Sequence, residues 1–148
     1  MITDYLSAGD LIIARLKAQI PNVAVLSARD LNGVKEFSQP APAVQVLYAG
    51  DQVIPGDLSD DAIATVVEQR WLLVVVTRSA KDTRGGTGAR EEAGPLVTEV
   101  IQAVQGYSLG TGFSDLRRLN GPAPSFGPGV LYVPLMYGTV VGTTGSGT

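Results

Sequence analysis

The chain is short, apolar and slightly acidic, with 148 residues, 45% hydrophobic content, 17% charged content and a net charge of -3. A chain of this length removes roughly 70% of its unfolded surface from water, so a single core is expected. The composition excludes a disordered protein, because apolar residues are plentiful and charge is low. The acidic balance argues against a protein that coats nucleic acid.

The sequence contains no histidine and no cysteine. These residues supply the commonest general base near neutral pH and the main ligands of zinc. Serine triads, papain-like dyads and zinc sites are therefore excluded. The lack of cysteine fits a reducing compartment such as the cytoplasm. The longest apolar run, residues 71–76, is too short for a bilayer, and the first residues show no targeting pattern.

Apolar residues recur at helical spacing over residues 4–20 and predict an amphipathic helix. Two starting points are open. Thr3 is a plausible N-cap for the longer helix. Gly9 weakens the first half, however, so the helix could start at Ser7, where Ser7 and Asp10 resemble a capping box.

Three strands are predicted in the middle of the chain. β-Branched residues indicate strands over residues 23–28 and 43–48, and the acidic stretch with Pro55 and Gly56 predicts a turn. Residues 64–78 form the clearest strand, half polar at first and then apolar on both faces. We expect its second half to lie centrally in a sheet, and its first half to project with a free edge for a neighbour.

A second helix is predicted after a loop at residues 79–88 and extends to about Gln105, with Gly106 as its C-cap. Pro95 allows two interpretations. It either begins the regular helix or kinks a longer helix that begins near Ala89.

The last third of the chain is expected to be irregular before it ends in a strand. Residues 110–129 are rich in glycine and proline, with Leu116 and Leu119 as the only expected core anchors. Residues 130–141 predict a strand in which Pro134 requires a bulge or a sheet edge.

The order of these elements predicts a single α+β domain over residues 1–141, with a mixed, mostly antiparallel sheet and two main helices packed on it. The Gly, Ser and Thr content of residues 142–148 predicts a flexible C-terminal tail.

The possible ligand sites each have a simpler interpretation. The glycine-rich run at residues 85–88 precedes a helix, as phosphate cradles do, but the Walker pattern needs a lysine where this chain has Ala89. Glu91 and Glu92 are helix neighbours that point about 100° apart, so they suit a helix N-terminus better than a shared substrate. Residues 57–61 lack the EF-hand spacing and favour a solvated turn.

Four aromatic residues lie in or beside predicted elements. Trp71 is central in the longest strand, and no partner base is identifiable for Tyr107, Tyr132 or Tyr137. Packing in the core or in a subunit contact is therefore favoured for all four.

Two stretches carry opposite charge. The acidic stretch contains Asp51, Asp57, Asp60 and Asp61 with no basic residue among them. The basic stretch contains Arg78, Lys81, Arg84 and Arg90, opposed only by Asp82.

Five sequence stretches, distributed over nearly the whole chain, follow one another in a characteristic order: residues 14–18 of the first helix, 70–76 of the long strand, the glycine-rich loop into residues 91–96 of the second helix, 116–120, and 130–135 of the final strand. In this order and composition the chain resembles the phage tail terminator family, which includes the minor tail protein U type and its contractile-tail relatives. The resemblance implies a non-enzymatic structural virion protein, without a cofactor, that forms a ring, expected to be hexameric. Such a ring caps the tail tube and ends its polymerisation.

The resemblance also implies the partners. They are further copies of the chain, the tail tube protein, the head-completion or neck proteins and, in a contractile tail, the last sheath layer. Assembly is expected in the host bacterial cytoplasm and the final location in the tail or neck of the virion, without a membrane. Genomic DNA is expected to pass through the ring without specific binding, which a net acidic subunit favours.

A ring of identical subunits needs a heterologous interface, in which one surface meets a different surface of the next copy. The free strand edge and the opposed charges are the expected contributors. We also expect the 79–88 loop to contact the tube end or line the lumen. The residues expected to contact a neighbouring subunit or the tube are Asp57, Asp60, Asp61, Glu68, Arg70, Arg78, Lys81, Arg84, Gly85, Gly86 and Arg90.

Two other functions fit parts of the sequence. Another neck, connector or head-closure protein would share most of these features. A small nucleotide-binding or hydrolytic enzyme would use the glycine-rich run and a carboxylate such as Glu91, but the missing histidine, cysteine and Walker lysine disfavour it.

Overall fold

The computed structural model describes residues 2–35, 40–56, 63–79 and 87–147. The helices are α1 (Ser7–Gln19), α2 (Leu31–Val34) and α3 (Thr87–Val104). The strands are β1 (Ala24–Ser27), β2 (Ala43–Val53), β3 (Ala64–Arg78), β4 (Arg117–Leu119), β5 (Ser125–Gly127) and β6 (Val130–Thr144). The sheet has the order β1-β2-β3-β6-β4, and β5 also pairs with β6. Only β1 and β2 are parallel, which confirms the predicted α+β class.

The long strand β3 forms the centre of the sheet. It pairs with β6 over its whole length, Ala64–Arg78, and with β2 over residues 67–76. Both edges of residues 67–70 are therefore occupied, and the prediction of a free edge on β3 is wrong over these residues. β2 extends past residue 48 to Val53, so Asp51 lies in a strand and not in the predicted turn. A β-bulge between Tyr48 and Asp51 shifts the register of this extension.

The two long helices pack on one face of the sheet. The apolar residues recur at helical spacing, so they lie on the side of each helix that faces the sheet. Ile12 and Leu16 of α1 and Val100 of α3 are completely buried there. They meet alternate residues of the central strands, because side chains two apart share a face. Burying each large aliphatic side chain contributes roughly 1.5–3 kcal/mol. The sheet residues in this cluster include Val44, Val46, Trp71, Leu73, Val75, Leu135 and Tyr137.

The opposite face carries a smaller apolar cluster under α2. Val34 packs there with Leu72, Val74 and other alternate residues of the sheet. The sequence analysis predicts no helix at this place. The Asp30 carboxylate accepts a hydrogen bond from the Gly33 N–H at 2.8 Å and so caps the short helix.

Helix α1 begins at Ser7, the later of the two predicted starts. Neither predicted cap forms, because Leu6 occupies the N-cap position without a side-chain hydrogen bond. Thr3 and the Ser7–Asp10 pair are therefore wrong as caps. Instead, the Asp4 carboxylate accepts from the Leu6 N–H at 3.0 Å, and the Ser7 hydroxyl donates to the Asp4 carbonyl at 2.9 Å.

Helix α3 begins at Thr87, so Pro95 lies inside a longer helix, as the second predicted alternative has it. The helix ends at Val104, and Gly106 follows with a positive φ of 76°. This is the left-handed conformation expected of a glycine just past a helix end. The Gly106 N–H donates to the Leu116 carbonyl at 2.8 Å and ties the helix end to the next segment.

The 110–129 segment is more regular than predicted, because it contains β4 and β5. Leu116 is buried and Leu119 is half-buried, but Phe113 also packs against the main cluster. The two leucines are therefore not its only core anchors.

Strand β6 extends beyond the predicted residue 141. Residues 142–144 pair with the start of β3, so they belong to the sheet and not to the predicted flexible tail. Pro134 lies between the stretch of β6 that pairs with β5 and the stretch that pairs with β4. No described strand pairs with it on that edge, which is the edge position predicted for a proline.

Gly9 gives a direct test of the packing of α1 on the sheet. A Cβ at this position would lie 2.6 Å from the Trp71 ring. We expect Gly9→Ala to destabilise the protein by about 1–3 kcal/mol, because the rigid indole must move. Gly142→Ala in β6 is the control, since nothing lies within 4 Å of its Cβ position, and it should stabilise the protein by roughly 0.5–1 kcal/mol. Urea unfolding measures both; equal effects would contradict the contact.

Candidate assembly surface

Three strand ends extend beyond the apolar clusters and form a ribbon, consisting of residues 49–53 of β2, 64–70 of β3 and 138–144 of β6. None of the three apolar clusters includes a ribbon residue. The ribbon still contains the buried residues Val67 and Val141, which are paired across β3 and β6. Other contacts must therefore hold it.

The chain start, residues 2–6, crosses one face of the ribbon and is called the strap. The Tyr5 carbonyl accepts a hydrogen bond from the amide of Gln69, a fully buried side chain. The Tyr5 hydroxyl donates to the Asp51 carboxylate. Val67 and Gln69 share one face of β3, because they are two residues apart. The strap therefore contacts the same face that carries the buried valines.

Two tyrosines meet at the carboxylate of Asp51. The Tyr48 hydroxyl donates to the same Asp51 oxygen as Tyr5, at 3.2 Å. The Tyr48 ring also packs on Trp71, with ring centroids 5.0 Å apart. Burial and the negative charge of Asp51 raise the pKa of Tyr48 to about 12. Burial and the hydrogen bond to Asp51 also raise the pKa of Tyr5.

The other face of the ribbon carries an ion cluster around Glu68, a side chain whose residue is 9% exposed. Arg117 of β4 donates to Glu68 at 2.6 Å, and Arg70 lies 3.6 Å away. Arg70 also donates to Gln52, while no described group partners its buried Nε. A Cβ on Gly138 would lie 3.2 Å from the Glu68 side chain, so a glycine here makes room for the carboxylate.

The structure brings together two of the predicted contact residues, Glu68 and Arg70, on this face. Arg78 is exposed at the far end of β3, and Arg90 is exposed on the first turn of α3. Asp57, Asp60, Asp61, Lys81, Arg84, Gly85 and Gly86 lie outside the described residues and stay predictions. Most of the glycine-rich run lies there too.

The predicted packing of Trp71 and Tyr137 in the core is confirmed, since both are buried. Tyr107 and Tyr132 are half-buried beneath cations, with the Arg15 guanidinium 4.3 Å and the Lys35 ammonium 5.6 Å from the ring centres. None of these tyrosines therefore requires a role in proton transfer.

Sequence reasoning missed Tyr5, Tyr48 and Arg117 as parts of this surface. Tyr5 and Asp51 are 46 residues apart, and Glu68 and Arg117 are 49 apart, so no local pattern pairs them. Asp51 follows the β-bulge after Tyr48, so the alternation of β2 does not continue to it.

The ribbon has two features that a neighbouring molecule could contact, a strand edge and a group of exposed apolar side chains. β1 pairs only with residues 43–46 of β2, and within the described ranges no strand pairs with the outer edge of residues 49–53. A free edge of the ribbon therefore lies along β2. Beside it, Val53, Ile54 and Ile63 are 57%, 40% and 42% exposed, and these three residues at the end of the ribbon are called the apolar tip.

The described residues contain no cluster of three or more carboxylates that could hold a metal ion. Across the same ranges, no helix combines the length and apolar character needed to span a membrane.

The tyrosine pair predicts a loss of stability at high pH. The unfolded chain releases the Tyr48 proton near pH 10.0, whereas the folded protein keeps it until about pH 12. The stabilisation that comes from the protonated Tyr48 hydroxyl is therefore fully present below pH 10, and it is lost as the pH rises towards 12. Tyr48→Phe should make this fall shallower in chemical unfolding between pH 9 and 12, and Asp51→Asn should do so partly. An unchanged slope in Tyr48→Phe would contradict the assignment.

The ion pair on the other face predicts a cost for losing Arg117. Arg117→Ala leaves the Glu68 carboxylate without its shortest partner, and we expect a loss of about 1 kcal/mol, since the arginine itself is largely exposed. The control is Arg29→Ala, which removes the ion pair of an exposed arginine to the half-exposed Asp30 and should change stability by less than about 0.5 kcal/mol. Thermal unfolding compares them, and an Arg117 effect no larger than the control would count against the pair.

Comparison with known proteins gives one family. The family model described as "Phage tail terminator protein" matches residues 1–144. A search of curated proteins found no match.

Proposed function

We propose, because the chain belongs to the phage tail terminator family, that its copies form a ring that caps the end of the tail tube. Membership itself gives the protein a structural role in the phage tail, in association with other tail and neck proteins. The finer proposal is a ring, expected to be hexameric, that stops tube polymerisation and offers a surface for head joining. The family match over residues 1–144 carries it.

The sequences that adjoin the two ends of β3 carry opposite charge, which supports a heterologous ring contact. β3 is one continuous strand of 15 residues, which spans about 47 Å. Ile63 precedes one end, and Ser79 follows the other. The adjoining sequence of residues 57–62 carries three aspartates, whereas residues 80–86 carry Lys81 and Arg84. Opposite charges attached at opposite ends favour contact between copies over contact within one copy.

The remaining partners follow from the same role. We propose that residues 80–86 contact the tube end, and that a contractile tail would add the last sheath layer as a partner. The net charge of -3 suits a ring through which DNA passes, because phosphates are repelled.

Capping can be tested with the tube protein of the same phage. Added at the start of tube polymerisation, the purified protein should shorten the tubes, because a capped end accepts no further subunit. Electron microscopy should show a small ring at one tube end. Unchanged tube lengths with no ring would refute the proposed function.

The charge contribution has its own variant, Lys81→Glu with Arg84→Glu. It should abolish ring formation at low salt, where exposed charges act most strongly. Lys17→Glu with Arg29→Glu is the control, since it makes the same charge change on exposed residues of α1 and before α2. Rings that persist in the first variant would remove charge pairing from the proposal and leave capping intact.

A further inference from the structure

An apolar groove lies on the α2 face of the sheet. Its walls are Leu31 and Val34 of α2, Val74 and Pro134 of the sheet, and Ala123 of the connection before β5, around a volume of about 170 Å³. A cavity of roughly 150 Å³ holds a benzene molecule. The groove therefore has room for one or two branched aliphatic side chains.

The charge at the groove differs from the charge beside the tip. Lys35 lines the groove, with its ammonium group over the Tyr132 ring. The exposed carboxylate of Asp51 lies two residues before Val53 of the tip. Tip and groove thus complement each other in both apolar character and charge.

One copy of the chain cannot join its own tip to its own groove. The Ile54 N–H donates to the Val66 carbonyl, whereas the groove lies against Val74 of the same continuous strand. At ~3.4 Å per residue these positions are about 27 Å apart. The tip and the groove are held apart on one continuous strand. Two complementary surfaces in this arrangement can serve as the two halves of a head-to-tail contact.

We propose that the apolar tip of one subunit, with Val53, Ile54 and Ile63, docks on the α2 groove of the next subunit, so that one or two of these side chains enter the groove and the others pack at its rim. The proposal rests on the ring of the proposed function and identifies its contact surfaces. Asp51 then approaches Lys35 of the neighbouring copy.

Cysteine cross-linking tests this contact, because the chain has no cysteine of its own. The variant carries Ile54→Cys and Ala123→Cys together. A disulfide needs Cα atoms within about 7 Å, so these positions cannot be bridged inside one subunit. Mild oxidation of assembled protein, alone and on tail tubes, should give a ladder of multimers on a non-reducing gel that collapses on reduction. A mixture of the two single variants should give dimers only.

The matched control pairs Leu11→Cys with Ala123→Cys. Leu11 is 38% exposed, close to the 40% of Ile54, but lies on α1. It should give no ladder. Rings seen by electron microscopy without a ladder in the test variant would overturn the contact and leave capping intact. A disulfide to the tube protein, or a dimer from Ile54→Cys alone, would also overturn it. Absence of rings on tubes for the unmodified protein would overturn the proposed function as well.

Discussion

The pairing of β3 on both of its edges is the constraint on which the other features depend. Because β6 follows β3 over all 15 residues, the sheet continues well past the helices without losing backbone hydrogen bonds. The helix-covered half supplies the apolar core. The other half becomes a stiff ribbon, so its tip keeps a fixed distance from the groove and from the basic end of β3.

The ribbon is held by polar contacts that the core half does not need. Gln69 and Glu68 are buried on opposite faces of β3, and each is satisfied from a distant part of the chain. Burying such groups costs free energy unless they are hydrogen-bonded. The strap and Arg117 therefore fix where the ribbon lies, and the same polar contacts make that position specific.

The predictable parts of the fold are those encoded by local periodicity. The bounds of β3 and the later start of α1 follow from alternation and from the helix-weakening effect of Gly9, and Gly106 follows from the geometry of helix ends. The extension of β2 was missed because a bulge interrupts its alternation after Tyr48. The short α2 was missed because one turn is too short to show a period. The contacts of Tyr5 and Arg117 depend on tertiary pairing, which no local pattern encodes.

The exposed tip has a thermodynamic consequence for how copies associate. Each of its three side chains is only partly exposed, so burying the remainder contributes less than the roughly 1.5–3 kcal/mol of a full aliphatic burial. Association itself costs an estimated 4 kcal/mol or more in lost freedom of motion. In the proposed contact, one tip and one groove would therefore give only a weak pair of free subunits. A closed ring of the proposed kind has as many contacts as subunits, but its assembly takes one association step fewer than that number. The freedom of motion is therefore lost fewer times than contacts are gained. A tube end that already held several copies would reduce this loss further. A subunit with one small apolar tip is thus suited to forming a ring where a tube end gathers it.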